Sequence, residues 1–215
     1  MRYSLALAFL LGTLCYAQTP SALESDPKGW QDIMPNASLA GWTRLPFMTT
    51  TPMAQESQWK VENGVPICEG DKGHDWLRYD KELADVIFHV EFRYTKMEGK
   101  KGYNSGVMIR NSADGTIYHQ AQAGEQGTGW LFGSIMTDGK PVRYNLRAQL
   151  KEDRVKPAGE WNVFEVRAEG PKLTAWVNGA VVSEQPESGT TKGYIGLEGE
   201  GFRIEFRNLK IKQLK

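Results

Sequence analysis

The sequence predicts an all-β protein in which two antiparallel sheets pack face to face as a β-sandwich or jelly roll. Short segments of alternating polar and apolar residues recur at roughly 8–12 residue intervals, which is typical of such folds. Two Asn-Gly pairs, at 63–64 and 178–179, each separate two of these segments. Because Asn and Gly tolerate positive φ, each pair predicts a two-residue hairpin turn. No segment shows a convincing pattern for a long helix.

The individual strands follow from this alternation. They are predicted, in chain order, at residues 58–62, 65–69, 76–79, 87–94, 104–110, 116–122, 130–135, 142–145, 161–168, 173–177, 180–183, 194–198, 202–206 and 209–211. Residues 46–56 and 123–129 contain prolines or glycines and are predicted to be loops. Residues 146–154 are predicted to be irregular or to form one to two helical turns.

Length and charge restrict the class of protein. The chain has 215 residues, with 26 Lys plus Arg and 26 Asp plus Glu, and one domain is the natural expectation for an all-β chain of this size. A neutral balance argues against nucleic acid as a partner, because phosphate binding needs a basic patch. We also expect a monomer.

The N-terminus reads as a secretory signal peptide. Arg2 precedes an apolar run, and Ala17 ends a set of small residues at the predicted cleavage position. The run is too short to span a membrane, and Cys15 lacks a good lipobox before it. We therefore predict a signal peptide at 1–17, a polar flexible linker at 18–28 and one domain at 29–215. Cleavage would leave Cys68 as the only cysteine, so a disulfide framework is not expected, which fits a periplasmic or secreted bacterial protein.

The stretch 87–122 is predicted to form three neighbouring strands that carry the functional site. In the first strand Glu91 and Arg93 share a polar face, and the next two strands place Arg110, Gln120 and Gln122 on polar faces. A carboxylate, guanidinium groups and amides together can hydrogen-bond the hydroxyls of a sugar. The alternative is that these faces are only the solvated side of an antiparallel sheet.

The order of several motifs resembles the 3-keto-disaccharide hydrolase family, also known as DUF1080. The motifs are Trp59–Gly64, Trp76-Leu77, Val90–Arg93, Asn104–Val107, Arg110, Pro157–Asn162, Val177–Gly179, Ile195–Leu197 and Phe206–Ile211. The resemblance covers about residues 29–214. It implies a concanavalin A-like jelly-roll sandwich of two antiparallel sheets, with a carbohydrate site on its concave face.

The resemblance also implies a particular reaction, the cleavage of a glycoside or disaccharide whose sugar carries a ketone at C3. The ketone acidifies the C2 proton, so a base can remove it, an enolate can be stabilised, and the group at C1 can leave by elimination before water adds back. This chemistry needs a base, hydrogen-bond donors for the oxyanion and an acid. Direct hydrolysis by two carboxylates is the competing mechanism on similar folds.

The sequence departs from the family pattern at two places. Many members have Glu-x-Gln where this chain has Gln120-Ala121-Gln122, and many have Gln-x-His where it has Glu198-Gly199-Glu200. Glutamine is neither acid nor base. Either Glu91, Glu198 or Glu200 acts as the acid or base in place of the family residues, or the chain binds a sugar without cleaving it.

The candidate site residues follow from these arguments. The predicted catalytic residues are Glu91, Arg110, Glu198 and Glu200; the predicted substrate-binding residues are Arg93, Asn104, His119, Gln120, Gln122 and Trp130. A cross-strand Glu–Arg pair is the structural alternative for Glu91. His74, His89 and His119 lack metal-ligand spacing, so no metal and no cofactor is predicted.

The segment 143–156 is basic, with Arg143, Arg147, Lys151, Arg154 and Lys156. It is either a solvated rim or a loop that faces the substrate. At the level of function, the alternative to an exported enzyme is a non-catalytic carbohydrate-binding module on the same fold.

Overall fold

A computed structural model describes residues 18–48 and 50–214. The predicted signal peptide lies outside the described residues. Within them the chain forms two antiparallel sheets, which confirms the predicted jelly-roll class. None of the described helices is long and apolar enough to cross a membrane.

The first sheet has eight strands in the order β13-β12-β11-β6-β15-β4-β3, with β1 paired to β15. Its strands are β1 (Gln31–Asp32), β3 (Trp59–Glu62), β4 (Val65–Cys68), β6 (Val86–Tyr94), β11 (Asn162–Glu169), β12 (Lys172–Val177), β13 (Ala180–Gln185) and β15 (Ile204–Gln213).

The second sheet has seven strands in the order β10-β9-β8-β7-β14-β5-β2. Its strands are β2 (Trp42–Pro46), β5 (His74–Tyr79), β7 (Gly106–Asn111), β8 (His119–Gln122), β9 (Leu131–Thr137), β10 (Lys140–Asn145) and β14 (Tyr194–Glu200). The described helical segments are α1 (Ala22–Ser25) and a 3₁₀ turn at Arg147–Gln149.

Both predicted hairpins are present. Asn63 and Asn178 have φ of 52° and 42° and are followed by glycines at positive φ. The registers Glu62↔Val65 and Val177↔Ala180 close the two turns directly. Local turn chemistry therefore sets the pairing of β3 with β4 and of β12 with β13.

The core lies between the sheets and is built from the apolar faces of alternating strands. Phe88, Val90 and Phe92 on β6 are fully buried, and Phe92 packs against Phe164 with ring centroids 6.3 Å apart. Val107 and Leu197 supply the facing side from the second sheet. Burial of such side chains is the main stabilising contribution in a domain with no disulfide among its described residues.

One prediction about the sheets is wrong. The three strands at 87–122 do not pair in sequence, because β6 belongs to the first sheet, between β11 and β15, whereas β7 and β8 belong to the second. Residues 95–105 cross from one sheet to the other. Alternation shows which side chains share a face of one strand, but it does not show to which sheet the strand belongs.

The segment 18–28 is attached to the first sheet and is not the free linker that its polarity predicted. Ser21 and Glu24 form a capping box at the start of α1. The backbone N–H groups of Ala22 and Leu23 donate to the buried carboxylate of Glu165 over 2.7 and 3.1 Å. The side chain of Thr19 also donates to the Gly179 carbonyl, and Asp26 pairs with Lys212 of β15.

Candidate functional site

The predicted site residues lie in three separate places. Glu91 and Arg93 point outward from the first sheet. Arg110 and His119 lie between the sheets. The remaining residues, Asn104, Gln120, Gln122, Trp130, Glu198 and Glu200, lie at the outer face of the second sheet. The common hollow predicted for Glu91, Arg93, Arg110, Gln120 and Gln122 does not exist.

Glu91 is held by a structural ion pair. Its two oxygens accept from Arg207 over 2.7 Å and from Asn208 over 2.5 Å. Burial would raise its pKa, but hydrogen bonds from His89, Asn208 and Arg207 outweigh burial and lower the pKa of Glu91 to about 2. Arg93 pairs with Glu205 over 2.5 Å and stacks on Trp161. These contacts support the structural alternative of cross-strand pairing.

Arg110 ties the two sheets together. Its guanidinium donates to Asp85 Oδ1 over 2.7 Å, to the Thr190 carbonyl over 2.9 Å and to the Gly170 carbonyl, and its side chain is fully buried. Strand alternation would place Arg110 outward with Met108. However, Arg110 has φ of 56° and the β7–β14 register shifts nearby, so the chain turns its side chain inward.

His119 is also an interior residue. It lies on the opposite face of β8 from Gln120, and its Nδ1 lies 3.0 Å from the Tyr144 hydroxyl. Burial lowers the pKa of His119 to about 4. This geometry keeps the imidazole neutral and away from any ligand on the outer face.

The polar face of the second sheet follows from the strand register. The facing pairs are Glu200↔His74, Gly196↔Met108, Met108↔Gln120 and Gly106↔Gln122. Facing residues of antiparallel strands project to the same side. Val107, Ala121 and Leu197 belong to the core, so the residues that alternate with them point outward.

His74 and Glu198 form a close pair at the centre of this face. His74 Nε2 lies 2.6 Å from Glu198 Oε1, and Gln120 Nε2 donates to Glu198 Oε2 over 2.6 Å. Both carboxylate oxygens of Glu198 are therefore engaged. The side chain of Glu198 is 2% exposed, against 28% for His74, so the imidazole is the member of the pair that a ligand can reach.

The pKa values of both members of this pair are raised. Burial raises the pKa of Glu198, while the hydrogen bonds from His74 and Gln120 oppose that increase. Burial alone would lower the pKa of His74, but the hydrogen bond to Glu198 and the charges of Glu198 and Glu200 outweigh it and raise the pKa. Phe47 stacks on the imidazole, with ring centroids 3.9 Å apart, and so fixes its orientation.

Glu200 is the accessible carboxylate of the group, with its side chain 37% exposed. Its Oε2 accepts a hydrogen bond from Asn104 Nδ2 and lies 3.9 Å from His74 Nε2. Gln122 Nε2 in turn donates to Asn104 Oδ1. This chain of amides holds one oxygen of Glu200 and leaves the other available to a ligand.

Two clefts lie next to these residues. The larger, which we call the Trp130 cleft, has a volume of about 510 Å³ and is lined by Lys101, Gly102, Tyr103, Asn104, Gln122, Gly124, Glu125, Gln126, Trp130 and Arg147. The smaller, the Tyr118 cleft, has a volume of about 240 Å³ and includes Thr116, Tyr118, Ser134 and Arg143. Phe47 links the smaller cleft to His74, since it also contacts Tyr118.

The structure brings together three donors that could hold a metal ion. One ligand atom each from His74, Glu198 and Glu200 lies within 4.8 Å of the others. Spacing along the sequence did not indicate this group, because the three residues come from two strands that are far apart in the chain. His74 is the main residue that the sequence reasoning missed. Its only signal is its place two residues before the predicted strand that starts at Trp76.

A jelly-roll sandwich with acids, amides and aromatic rings on the outer face of one sheet is an arrangement typical of carbohydrate-active proteins. The chain belongs to the 3-keto-alpha-glucoside-1,2-lyase-like domain family, whose model matches residues 29–212. This confirms the resemblance carried by the sequence motifs. No curated protein sequence gives a significant match to the chain.

Solved structures share the fold at low sequence identity. A "putative glycosyl hydrolase" from Parabacteroides distasonis is 18% identical with a TM-score of 0.62, covering 92% of this chain and 100% of that one. The carbohydrate-binding module CBM66 from Bacillus subtilis is 14% identical with a TM-score of 0.59, covering 85% and 100%. The beta-glucanase of Bacillus licheniformis is 12% identical with a TM-score of 0.50, covering 82% and 94%.

Proposed function

We propose that this chain is an exported enzyme that cleaves 3-keto-glycosides on the outer face of the second sheet. The observation that carries the proposal is the group formed by His74, Glu198 and Glu200, which combines an accessible carboxylate with a hydrogen-bonded imidazole. The family match to a 3-keto-alpha-glucoside-1,2-lyase-like domain supports the substrate class. Export rests on the N-terminal sequence pattern.

Glu200 is the base in this mechanism. Its free oxygen takes the C2 proton, and the electrons of the C–H bond move toward the C3 carbonyl to form an enolate. Asn104 holds the other oxygen of the carboxylate, which fixes its orientation. A positioned general base of this kind typically contributes about 10²–10⁴-fold to the rate.

His74 is the acid partner. As an imidazolium it donates a hydrogen bond to the developing oxyanion, which stabilises charge that is present only late in the reaction. The C1–O bond then breaks, its electron pair leaves with the glycosidic oxygen, and that oxygen takes the proton of the His74 imidazolium. Water adds its hydroxyl to C1, Glu200 returns its proton to C2, and the remaining proton of the water restores the imidazolium.

Glu198 is a positioning residue, because it is buried and both of its oxygens are already engaged. This argues against direct hydrolysis by two carboxylates, which needs both of them to reach the glycosidic bond or its water. The same contact bears on the departure from the family pattern at Gln120, where many members have a glutamate. In this chain the carboxylate next to that position belongs to Glu198, which accepts a hydrogen bond from Gln120.

Turnover assays separate the candidate functions. We expect the protein to release the aglycone from 3-keto-glucosides and not from the parent glucosides, because only the ketone acidifies the C2 proton. Equal cleavage of both would indicate direct hydrolysis. Binding of both sugars with no release of aglycone would indicate the carbohydrate-binding alternative.

The pH dependence of turnover tests the role of His74. Since the imidazolium is the active form, we expect activity to fall as the pH rises through the raised pKa of His74. Glu198→Gln removes the charge that raises this pKa, so the alkaline limb of the profile should move to lower pH. Glu165→Gln is the matched control, because Glu165 contacts His89 on the other sheet over 2.8 Å. A limb that stays in place in Glu198→Gln would exclude His74 as the acid.

A further inference from the structure

The Trp130 cleft is lined by a positively charged side chain that forms no ion pair within the described part of the protein. Among the arginine residues in the described ranges 18–48 and 50–214, only Arg143 and Arg147 make no ion pair with a carboxylate. Arg147 lines the Trp130 cleft and Arg143 lines the Tyr118 cleft. The two unpaired arginines therefore flank the proposed catalytic group.

Two later basic residues of the segment 143–156 do form ion pairs. Lys151 pairs with Glu184 over 2.5 Å, and Arg154 pairs with Glu152 over 2.7 Å. The basic segment 143–156 is thus divided. Lys151 and Arg154 are paired and Lys156 donates to the Trp161 carbonyl, whereas Arg143 and Arg147 face clefts.

The Trp130 cleft has further cationic and donor groups. Lys101 lines it and, like Arg147, forms no ion pair among the described residues. The one carboxylate of the lining, Glu125, accepts a hydrogen bond from the backbone N–H of Gly102. The indole Nε1–H of Trp130 is buried without a hydrogen-bond partner in the described structure, and an unpaired buried donor is a destabilising feature.

The position of Arg147 is defined. Its guanidinium carbon lies 4.8 Å from the centroid of the Trp130 ring, so it stacks on the indole. Gly127 packs close to the same ring. Stacking of a sugar on Trp130 is therefore obstructed in this arrangement, and the cleft offers cationic donors in place of an open aromatic face.

We propose that the Trp130 cleft is a subsite for an anionic group, a carboxylate or sulfate, on the unit of the glycoside that lies beside the reacting sugar. This inference rests on the proposed function for the position of the reacting sugar. The hydrogen bonds from Gln122 to Asn104 and from Asn104 to Glu200 connect the cleft to the base. Arginine suits this role because its planar fork matches the geometry of such anions.

Binding of unreactive sugars tests the subsite without any turnover. Isothermal titration at low salt would compare a neutral glucose disaccharide with the same disaccharide carrying a glucuronic acid unit, and with a sulfated form. We expect the acidic forms to bind about tenfold more tightly, and we expect added salt to remove the difference. The two acidic sugars show whether carboxylate or sulfate is preferred.

Arg147→Gln should abolish this preference and leave the affinity for the neutral disaccharide unchanged. Arg143→Gln is the matched control, since it removes the other unpaired arginine from the other cleft, and it should retain the preference. Both side chains are exposed, so neither change should prevent folding. Equal binding of acidic and neutral sugars by the wild type, or a preference that survives Arg147→Gln, would overturn the proposal. Because no keto-sugar is used, either result leaves the test of the proposed function independent.

Discussion

Glu200→Gln should lower kcat/KM for a 3-keto-glucoside by about 10³-fold, within the range expected for removal of a general base. Glutamine keeps the size of the side chain and can still accept the hydrogen bond from Asn104. The amide cannot take up a proton at neutral pH. The loss should therefore appear in kcat, with little change in the binding of the unoxidised sugar.

Glu91→Gln is the control for this experiment, because it makes the same chemical change on the outer face of the other sheet. Turnover by Glu91→Gln should match the wild type, although its pairing with Arg207 is weakened. Steady-state rates for both variants, with circular dichroism to confirm folding, complete the comparison. If Glu91→Gln loses activity and Glu200→Gln retains it, the assignment of the site to the second sheet is wrong.

The double variant His74→Gln/Glu198→Gln extends the argument. Glu198 is proposed to act only through His74, so the double variant should be no slower than His74→Gln alone. Residues that act as one unit are non-additive in this way. Additive losses would show that Glu198 has a role of its own in the reaction.

The sequence predicted the local features of the fold well. Both Asn-Gly turns, the alternation along β6 and the family resemblance are read from neighbouring residues, and each of them is present. The turn residues adopt the positive φ that their chemistry favours, and the apolar residues of β6 are buried. These properties depend on a few residues at a time, which is why a single sequence contains them.

The site was predicted only in part, because its geometry depends on contacts between distant strands. Glu91 and Gln120 are both polar residues in segments of alternating polar and apolar residues, and the neighbouring residues do not show that they belong to different sheets. They are separated because residues 95–105 cross from one sheet to the other. His74 belongs to the site because β5 pairs with β14, which places it opposite Glu200. This pairing cannot be read from the residues next to His74.

Arg110 shows a second limit of pattern reasoning. A strict period of two would put its side chain with Met108 on the outer face. One residue at positive φ and a shift in register reverse that direction. Irregularities of this kind are set by the whole fold, and here the result is a buried guanidinium that joins the sheets at one end.

Arg110→Met should therefore destabilise the protein, lowering the free energy of unfolding by about 3 kcal/mol, because it removes a buried guanidinium from a network of hydrogen bonds whose carboxylate, Asp85, is 33% exposed. The change leaves Asp85 without its cation and leaves the carbonyl groups of Gly170 and Thr190 without this donor. Methionine retains much of the apolar stem, so lost polar contacts account for most of the effect. Chemical denaturation of the wild type and the variant measures the difference.

Arg167→Met is the matched control for Arg110→Met, since Arg167 forms an exposed pair with Glu169 over 2.8 Å, with side chains 41% and 58% exposed. Its loss should change stability by less than about 1 kcal/mol.

Turnover per folded molecule separates the structural role of Arg110 from the catalytic one that its sequence context suggested. We expect Arg110→Met to retain turnover at temperatures well below its melting point, because the side chain of Arg110 is fully buried and bonded to Asp85, Gly170 and Thr190, away from the proposed catalytic group. A stable Arg110→Met variant with no activity would reverse this assignment and return Arg110 to the catalytic site.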